Sequence, residues 1–405
     1  MGACILCQKS LNEKIEPLDN KEIIDHSSSS LPLKTTESQS PVSTAASLSM
    51  DDFQPLKLVG KGSFGKVILV KYFNNNKIYA MKILKKEEII KRKQINHTKT
   101  ERLLLEKLKH PFIAQLQFAF QDSKNLYLVT EFLQGGELFF HIKRKTCFEE
   151  STAKFYMAQL FLAIDYLHKN GYIYRDLKPE NILIDKEGFI KLTDFGLSKM
   201  ILHDDNTNDK NTICGTLDYM APEIIKGETY NISVDWYSFG IVLYEMICGK
   251  LPFQLKNRKI EECNYNNIEY PKEISQPAKD LISKLLEIDP KKRLGYNSSD
   301  EIKKCDFFKE IDFDKIYKKE CEPPFRPKFS GELDLKYFDI NFTEDNNLCS
   351  DDYTEKNDSK GEEKNIEEKD KAKIQDNIAA FEGFTFYKED EKGKNSDDDD
   401  DDLFD

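Results

Sequence analysis

Apolar positions in this chain follow two rhythms. Over Lys57–Val70 and Lys77–Leu84 the β-branched and aromatic content predicts strands, with Asn74-Asn75-Asn76 as a turn between them. Asn125–Phe132 alternates like a further strand and breaks at Gly135-Gly136. Glu101–Leu108 predicts a helix that stops before His110-Pro111. Between Ser151 and Lys169 the positions of Phe155, Leu160, Leu162, Ile164 and Leu167 predict a buried helix. Short strand and turn signals follow to residue 198, and helical patterns run from 233 to 308. A strand-rich first third followed by a helix-rich remainder predicts an α+β chain with two lobes of different class.

The flanks lack this patterning. Residues 11–49 are rich in Ser, Thr and Pro, so 1–52 reads as a disordered lead. The chain has 405 residues, and its 60 Lys+Arg against 72 Asp+Glu give a net charge of −12. The deficit sits at one end, since Thr343–Asp405 carries 23 acidic and 9 basic residues while the other 342 carry 49 and 51. A near-neutral body argues against nucleic-acid binding driven by a basic face. The unbroken Asp397–Asp402 run predicts a self-repelling, disordered end over 387–405. The most apolar stretch, Val234–Phe253, is interrupted by Asp235, Glu245 and Lys250, which argues against a membrane helix. Nine cysteines without a regular framework predict reduced thiols. With no secretory signal, this predicts a cytoplasmic location, membrane and nuclear association being left open.

The candidate chemistry lies in the patterned part. Val59-Gly60-Lys61-Gly62-Ser63-Phe64-Gly65-Lys66-Val67 places glycines between two strands, where backbone can approach phosphates; an ordinary glycine-rich hairpin shares the pattern. Lys82 sits among apolar neighbours on a strand and is costly to bury without an anion, for which Glu101 is the available helix carboxylate. Tyr174-Arg175-Asp176-Leu177-Lys178-Pro179-Glu180-Asn181 supplies a proton acceptor in Asp176, a cation in Lys178 and an oxygen ligand in Asn181. Asp194-Phe195-Gly196 adds a second carboxylate suited to a hard cation.

In this order, and with Ala221-Pro222-Glu223 following, these elements resemble the protein kinase family across Phe53–Phe308. The resemblance implies a bilobal fold with a β-rich N-lobe, a helical C-lobe and ATP with Mg2+ in the cleft between them. It implies Lys82 on the phosphates, paired with Glu101; Asp176 as base; and Asn181 and Asp194 as metal ligands. Glu131–Leu133 become the hinge, with Thr130 beside it. Tyr174 stands where many kinases have His, a variant common in the AGC group. His110-Pro111-Phe112 and Thr212-Ile213-Cys214-Gly215-Thr216 resemble that group too. So do Pro323-Pro324-Phe325-Arg326-Pro327 and Phe338–Phe342, which makes 309–386 an AGC C-terminal extension. The tail most resembles the RAC/protein kinase B, serum-regulated and ribosomal-protein kinase types. A cAMP-dependent catalytic subunit is the alternative within the class, and a pseudokinase scaffold the alternative outside it.

The resemblance also implies switches and substrates. Thr212 is the activation-loop phosphosite, with Arg175, Lys199 and His97 at the positions that would meet its phosphate. Phe381-Glu382-Gly383-Phe384-Thr385-Phe386 matches a hydrophobic motif (381–386) with Thr385 as its phosphoacceptor. Glu137, Glu180 and Glu245 match carboxylates that read arginines upstream of the acceptor, giving protein substrates with upstream Arg or Lys. An upstream activating kinase is the implied partner. Met1-Gly2 with Cys4 and Cys7 resembles an acylation signal, although Leu6 stands where Ser or Thr is usual; membrane contact is expected only if Gly2 or Cys4 is acylated.

Overall fold

A computed structural model describes residues 48–62, 65–200, 215–253, 268–270, 274–343 and 379–388. Its first third is built on an antiparallel sheet. The strands are β1 (Phe53–Lys61), β2 (Gly65–Tyr72), β3 (Ile78–Lys85), β4 (Leu116–Gln121) and β5 (Asn125–Glu131). Helices α1 (Lys86–Lys91) and α2 (Ile95–Lys107) lie between β3 and β4. Order begins earlier than the 1–52 lead allows, because Ser49 caps a short 3-10 turn over Met50–Asp52. Leu48 and Met50 pack on the sheet's aromatic layer, where Phe53 lies against Tyr72, Phe118 and Phe120.

The Lys57–Val70 strand signal divides at the glycines. Gly65 has to be glycine, because a Cβ there would lie 1.7 Å from the Ile83 carbonyl oxygen. Pro55 is tolerated because β1 is an edge strand, and the pairing with β2 slips between Pro55 and Lys57.

The remainder is helical around a few two-residue and three-residue strands. Helices α3 (Leu138–Lys145) and α4 (Glu150–Lys169) precede β6 (Tyr172–Ile173), β7 (Ile182–Ile184), β8 (Ile190–Leu192) and β9 (Lys199–Met200). Then come α5 (Pro222–Ile225), α6 (Ser233–Cys248), α7 (Gln276–Leu285), α8 (Asp300–Lys303), α9 (Phe313–Tyr317) and α10 (Ile340–Thr343). Helix α6 is apolar on all sides and nearly every residue in it is buried, as expected of a helix at the centre of a lobe. It ends on Gly249 in the left-handed conformation. Among the described residues no helix is long and apolar enough to cross a membrane.

One more strand completes the sheet. Residues Phe386–Tyr387 form β10, which pairs antiparallel with β4 and gives the order β1-β2-β3-β5-β4-β10. Regular structure therefore runs one residue past the 381–386 motif. The exposed edge of β4 is covered by the chain's own tail.

Candidate active site

The cleft between sheet and helices gathers the singled-out charges. Strand β3 pairs with β2 and β5, fixing Lys82 opposite Val67 and Leu128. Its Nζ lies 2.7 Å from Glu101 Oε1 on α2 and 3.0 Å from Asp194 Oδ1. Desolvation pulls the ammonium's pKa down, but the two carboxylates outweigh it and hold Lys82 above the ordinary lysine value. Burial pushes Glu101 up despite Lys82, whereas at the half-exposed Asp194 desolvation is outweighed by the Lys82 charge, which leaves that carboxyl below its usual range. Asp194 takes a positive φ of 55°, and the Gly196 N–H donates to its Oδ1 at 3.3 Å. A Cβ on Gly196 would sit 3.3 Å from both Asp194 Oδ1 and Glu101 Oε2, so glycine keeps this junction open.

Across the cleft, Asp176 is held by two donors. Lys178 Nζ reaches its Oδ2 at 2.7 Å and Thr216 Oγ1 at 2.9 Å. Asn181 Nδ2 donates to the Asp176 carbonyl at 2.8 Å and to its Oδ2 at 2.9 Å. The other carboxylate oxygen, Asp176 Oδ1, is buried without a partner among the described residues. Burial raises the Asp176 pKa, with Lys178 and Asn181 opposing. An acceptor oxygen left unmatched in a cleft is poised for a donor from outside.

The loop carrying these residues is fixed from below. Asp235 of α6 accepts the backbone N–H groups of Tyr174 and Arg175, both at 2.8 Å, and lies 2.7 Å from His168 Nε2. These bonds accompany a left-handed Arg175 (φ 70°). Tyr174 donates to the Thr193 carbonyl, and its ring meets that of Phe195 edge-on at 5.4 Å. Asp235 was visible in the sequence only as an interruption of an apolar run. A carboxylate inside a wholly buried helix needs internal donors, and that was the usable signal.

The other expected residues divide into groups. Val59, Gly60, Lys66 and Val67 are half-buried and Lys61 and Gly62 exposed in the glycine-rich segment; Ser63 and Phe64 lie outside the described residues. Leu133 is buried at the hinge, whereas the Glu131 carboxylate turns away to pair with Lys191 at 2.7 Å and to accept from the Gln115 N–H at 2.9 Å. Any hinge contact by Glu131 is therefore through its backbone. Phe338 of the tail lies 5.8 Å from the Phe132 ring, bringing a side chain to the hinge from two hundred residues away that sequence reading had not placed there.

Glu137, Glu180 and Glu245 share an acidic pocket. Glu137 is exposed on one side, but desolvation on the other, then Glu180, then Asp339 push it up to about 7. Burial leads likewise in raising Glu180 and Glu245, although Glu245 accepts the Tyr219 hydroxyl at 2.6 Å. Glu180 Oε2 is buried with no partner among the described residues.

Thr212 lies outside the described residues. Of the side chains expected to meet its phosphate, Arg175 bonds the Leu197 carbonyl at 2.6 Å and the Tyr230 hydroxyl at 3.0 Å, Lys199 is half-buried in β9, and His97 contacts Gln94.

The hydrophobic motif is docked beside α1, α2 and β4. Phe381 and Phe384 are buried, while Thr385 is exposed. Gln121 Nε2 donates to the Phe381 carbonyl at 2.9 Å, and Arg102 Nη2 to the Thr385 carbonyl at 3.2 Å. Lys86 is fully buried, its Nζ 2.8 Å from Gln121 Oε1 and 5.7 Å from the centre of the Phe381 ring.

Comparison with known proteins places this geometry. The protein kinase domain family matches residues 53–308. The chain is 45% identical over 301 residues to the serine/threonine-protein kinase akt-1 of Caenorhabditis elegans, covering 73% of this chain and 55% of that protein. It is also 45% identical over 306 residues to Protein kinase 2 of Dictyostelium discoideum, covering 75% and 63%. To the human RAC-beta serine/threonine-protein kinase it is 45% identical over 314 residues, covering 76% and 65%. The matched region thus spans between 55% and 65% of these relatives. ATP and a divalent cation are what this family uses. The chain belongs to the protein kinase family.

Proposed function

We propose that this protein is a serine/threonine kinase that transfers the γ-phosphoryl group of ATP, with Mg2+, to proteins carrying basic residues upstream of the acceptor hydroxyl. The observation that carries this reading is the facing pair of constellations, Lys82 between Glu101 and Asp194 on one side and Asp176 with Lys178 and Asn181 on the other. In this reading Lys82, kept charged by its two carboxylates, binds the phosphates. Asp194, which stays ionised, and Asn181, whose nitrogen donates to Asp176 and whose oxygen is a neutral hard ligand, suit a hard cation. Bound Mg2+ would neutralise phosphate charge as it develops. Asp176 Oδ1 takes the hydroxyl proton, and Lys178, bridging Asp176 and Thr216, neutralises the transferring group. Asp176→Asn should abolish transfer from radiolabelled ATP to a basic peptide while nucleotide binding persists. Transfer at the unmodified rate would refute the assignment.

Substrate choice follows from the acidic pocket, whose buried and unmatched Glu180 oxygen suits a guanidinium. Peptide arrays preferring proline or acidic residues near the acceptor would count against it. Regulation follows from two phosphates. One on Thr212 would order its loop through Arg175, Lys199 and His97. One on Thr385 would fall beside Arg102, whose Nε is buried and without a partner among the described residues. Full activity in Thr212→Ala would reject the first switch. Cytoplasmic location belongs to the same reading and is checked by imaging the tagged chain.

A further inference from the structure

The near-neutral balance of the body conceals a division between its lobes. Residues 53–132, which contain the sheet and α1–α2, carry 16 basic and 6 acidic residues, a balance of +10. Residues 133–308 carry 24 basic and 27 acidic, a balance of −3. Residues 389–405, which follow the docked motif, carry 10 acidic and 2 basic, a balance of −8. The most acidic segment of the chain is therefore tethered to its most basic lobe.

The point of attachment gives the segment a direction. Phe386 pairs with Ala119 and Tyr387 with Phe118, and the Lys388 N–H donates to the Gln117 carbonyl at 3.0 Å. The chain thus leaves antiparallel to β4, heading toward Leu116 and Gln115. Gln115 Nε2 in turn donates to the Leu108 carbonyl at 3.2 Å, and Leu108 is flanked by the exposed lysines Lys107 and Lys109. Glu106, the nearest carboxylate in sequence, is engaged by Arg102 at 2.9 Å. Among the described residues, neither lysine side chain pairs with a carboxylate.

We propose that the acidic end, residues 389–405, docks back on the N-lobe of its own chain, following the β4 edge onto Lys107 and Lys109. Seventeen residues reach about 55 Å when extended, so length does not limit the contact. A short tether holds the segment at an effective concentration on the order of millimolar, so even weak ion pairs keep it in place. Because the segment follows β10 directly, the same contacts secure the hydrophobic motif in its groove. The occupant is chosen by charge and by attachment. An anionic membrane would meet the same charge but has no such tether.

Carbodiimide, which joins a carboxylate to an amine only on contact, tests this in the full chain. Mass spectrometry of the monomer should find the Asp397–Asp402 peptide joined to peptides containing Lys107 or Lys109. The yield should fall at least about fivefold in Lys107→Glu/Lys109→Glu and in high salt. Links to C-lobe lysines instead, or none within the monomer, would overturn the proposal. A labelled peptide of residues 389–405 gives an independent reading. It should bind the chain ending at Lys388, and bind the full chain about tenfold more weakly because the tethered copy holds the surface. Equal binding to both, with or without phosphatidylserine vesicles that compete for the N-lobe, would also overturn it.

Discussion

The two halves of the cleft are built to different specifications. In the C-lobe, the loop carrying Asp176 hangs from Asp235 in the interior of α6. A second buried pair, Arg293 with Glu223 at 2.6 and 2.9 Å, lies nearby with both side chains almost fully enclosed. On the N-lobe side, Lys82 is 28% exposed and Glu101 comes from a helix that the tail also touches, while the C-lobe carboxylate that meets Lys82, Asp194, is 48% exposed. Neither arrangement follows from the motifs alone. The difference teaches that the catalytic loop is fixed by the core, whereas the geometry around Lys82 depends on how α2 is held. The docked tail adds to that hold through the Arg102 bond to the Thr385 carbonyl, beside the packing of Leu104 and Leu105 in the core.

The largest expected effect is in the fixed half. Arg293→Ala leaves Glu223 buried and uncompensated, which costs about 3–5 kcal/mol of global stability. Trp236, the chain's one tryptophan, is fully buried in α6 and reports that unfolding by its fluorescence. A loss under about 1 kcal/mol would mean that the C-lobe is no more rigid than the N-lobe, and the comparison would fail.

The next effect should be confined to the adjustable half. Phe381→Ala/Phe384→Ala removes both buried rings of the motif, and turnover should fall about tenfold or more, a usual size for coupling between sites. The Trp236 transition should stay where it was. Coincident loss of activity and of that transition would show that the tail supports the whole fold rather than α2. A smaller step along the same line is Arg102→Ala, which loses one hydrogen bond to the Thr385 carbonyl, of about 0.5–1.5 kcal/mol. Docking should weaken only a few-fold without phosphate, and phosphorylation of Thr385 should no longer raise activity. An intact response would assign that phosphate to another cation.

What the sequence made legible was chemistry carried by neighbours in the chain. Asp176, Lys178 and Asn181 lie within six residues, and the structure brings them together on one loop. Lys82 and Glu101 were legible because a lysine on an apolar strand requires an anion. The motif at 381–386 was legible as an aromatic cluster in a polar tail. Its strand pairing with β4 was not, because joining Phe386 to Ala119 links positions far apart in the chain with no local signal. Helix α2 begins at Ile95, six residues before the expected start, since Asn96 to Thr100 lacks apolar periodicity and the turn is held by packing and by Thr98 bonding the Gln94 carbonyl. Strand β4 carried a period-two signal that went unread, with Leu116, Phe118 and Phe120 alternating with Gln117, Ala119 and Gln121. Lys86 reads as one of several surface lysines, and only the folded groove shows it enclosed under Phe381.

The smallest effect separates the halves by pH. Glu137 keeps an exposed face where the tail meets the C-lobe, yet desolvation on its inner side, with Glu180 and Asp339 nearby, raises it to about 7. A carboxyl with a raised pKa is protonated below that value, so at pH 6 it is mostly neutral and at pH 8 mostly ionised. An arginine is bound better by the ionised form. For peptides with upstream arginines, kcat/KM should therefore rise about fivefold between pH 6 and 8, as free-enzyme ionisation enters that ratio. Asp176 is raised as well, but it acts on every acceptor. A peptide lacking the arginines therefore controls for it and should show no limb near pH 7. Glu137→Gln should flatten the profile for the basic peptide and leave the control peptide unchanged. If both peptides kept the same limb in that variant, the titration would belong to the Asp176 loop, and the acidic pocket would no longer be a separate reader of substrate charge.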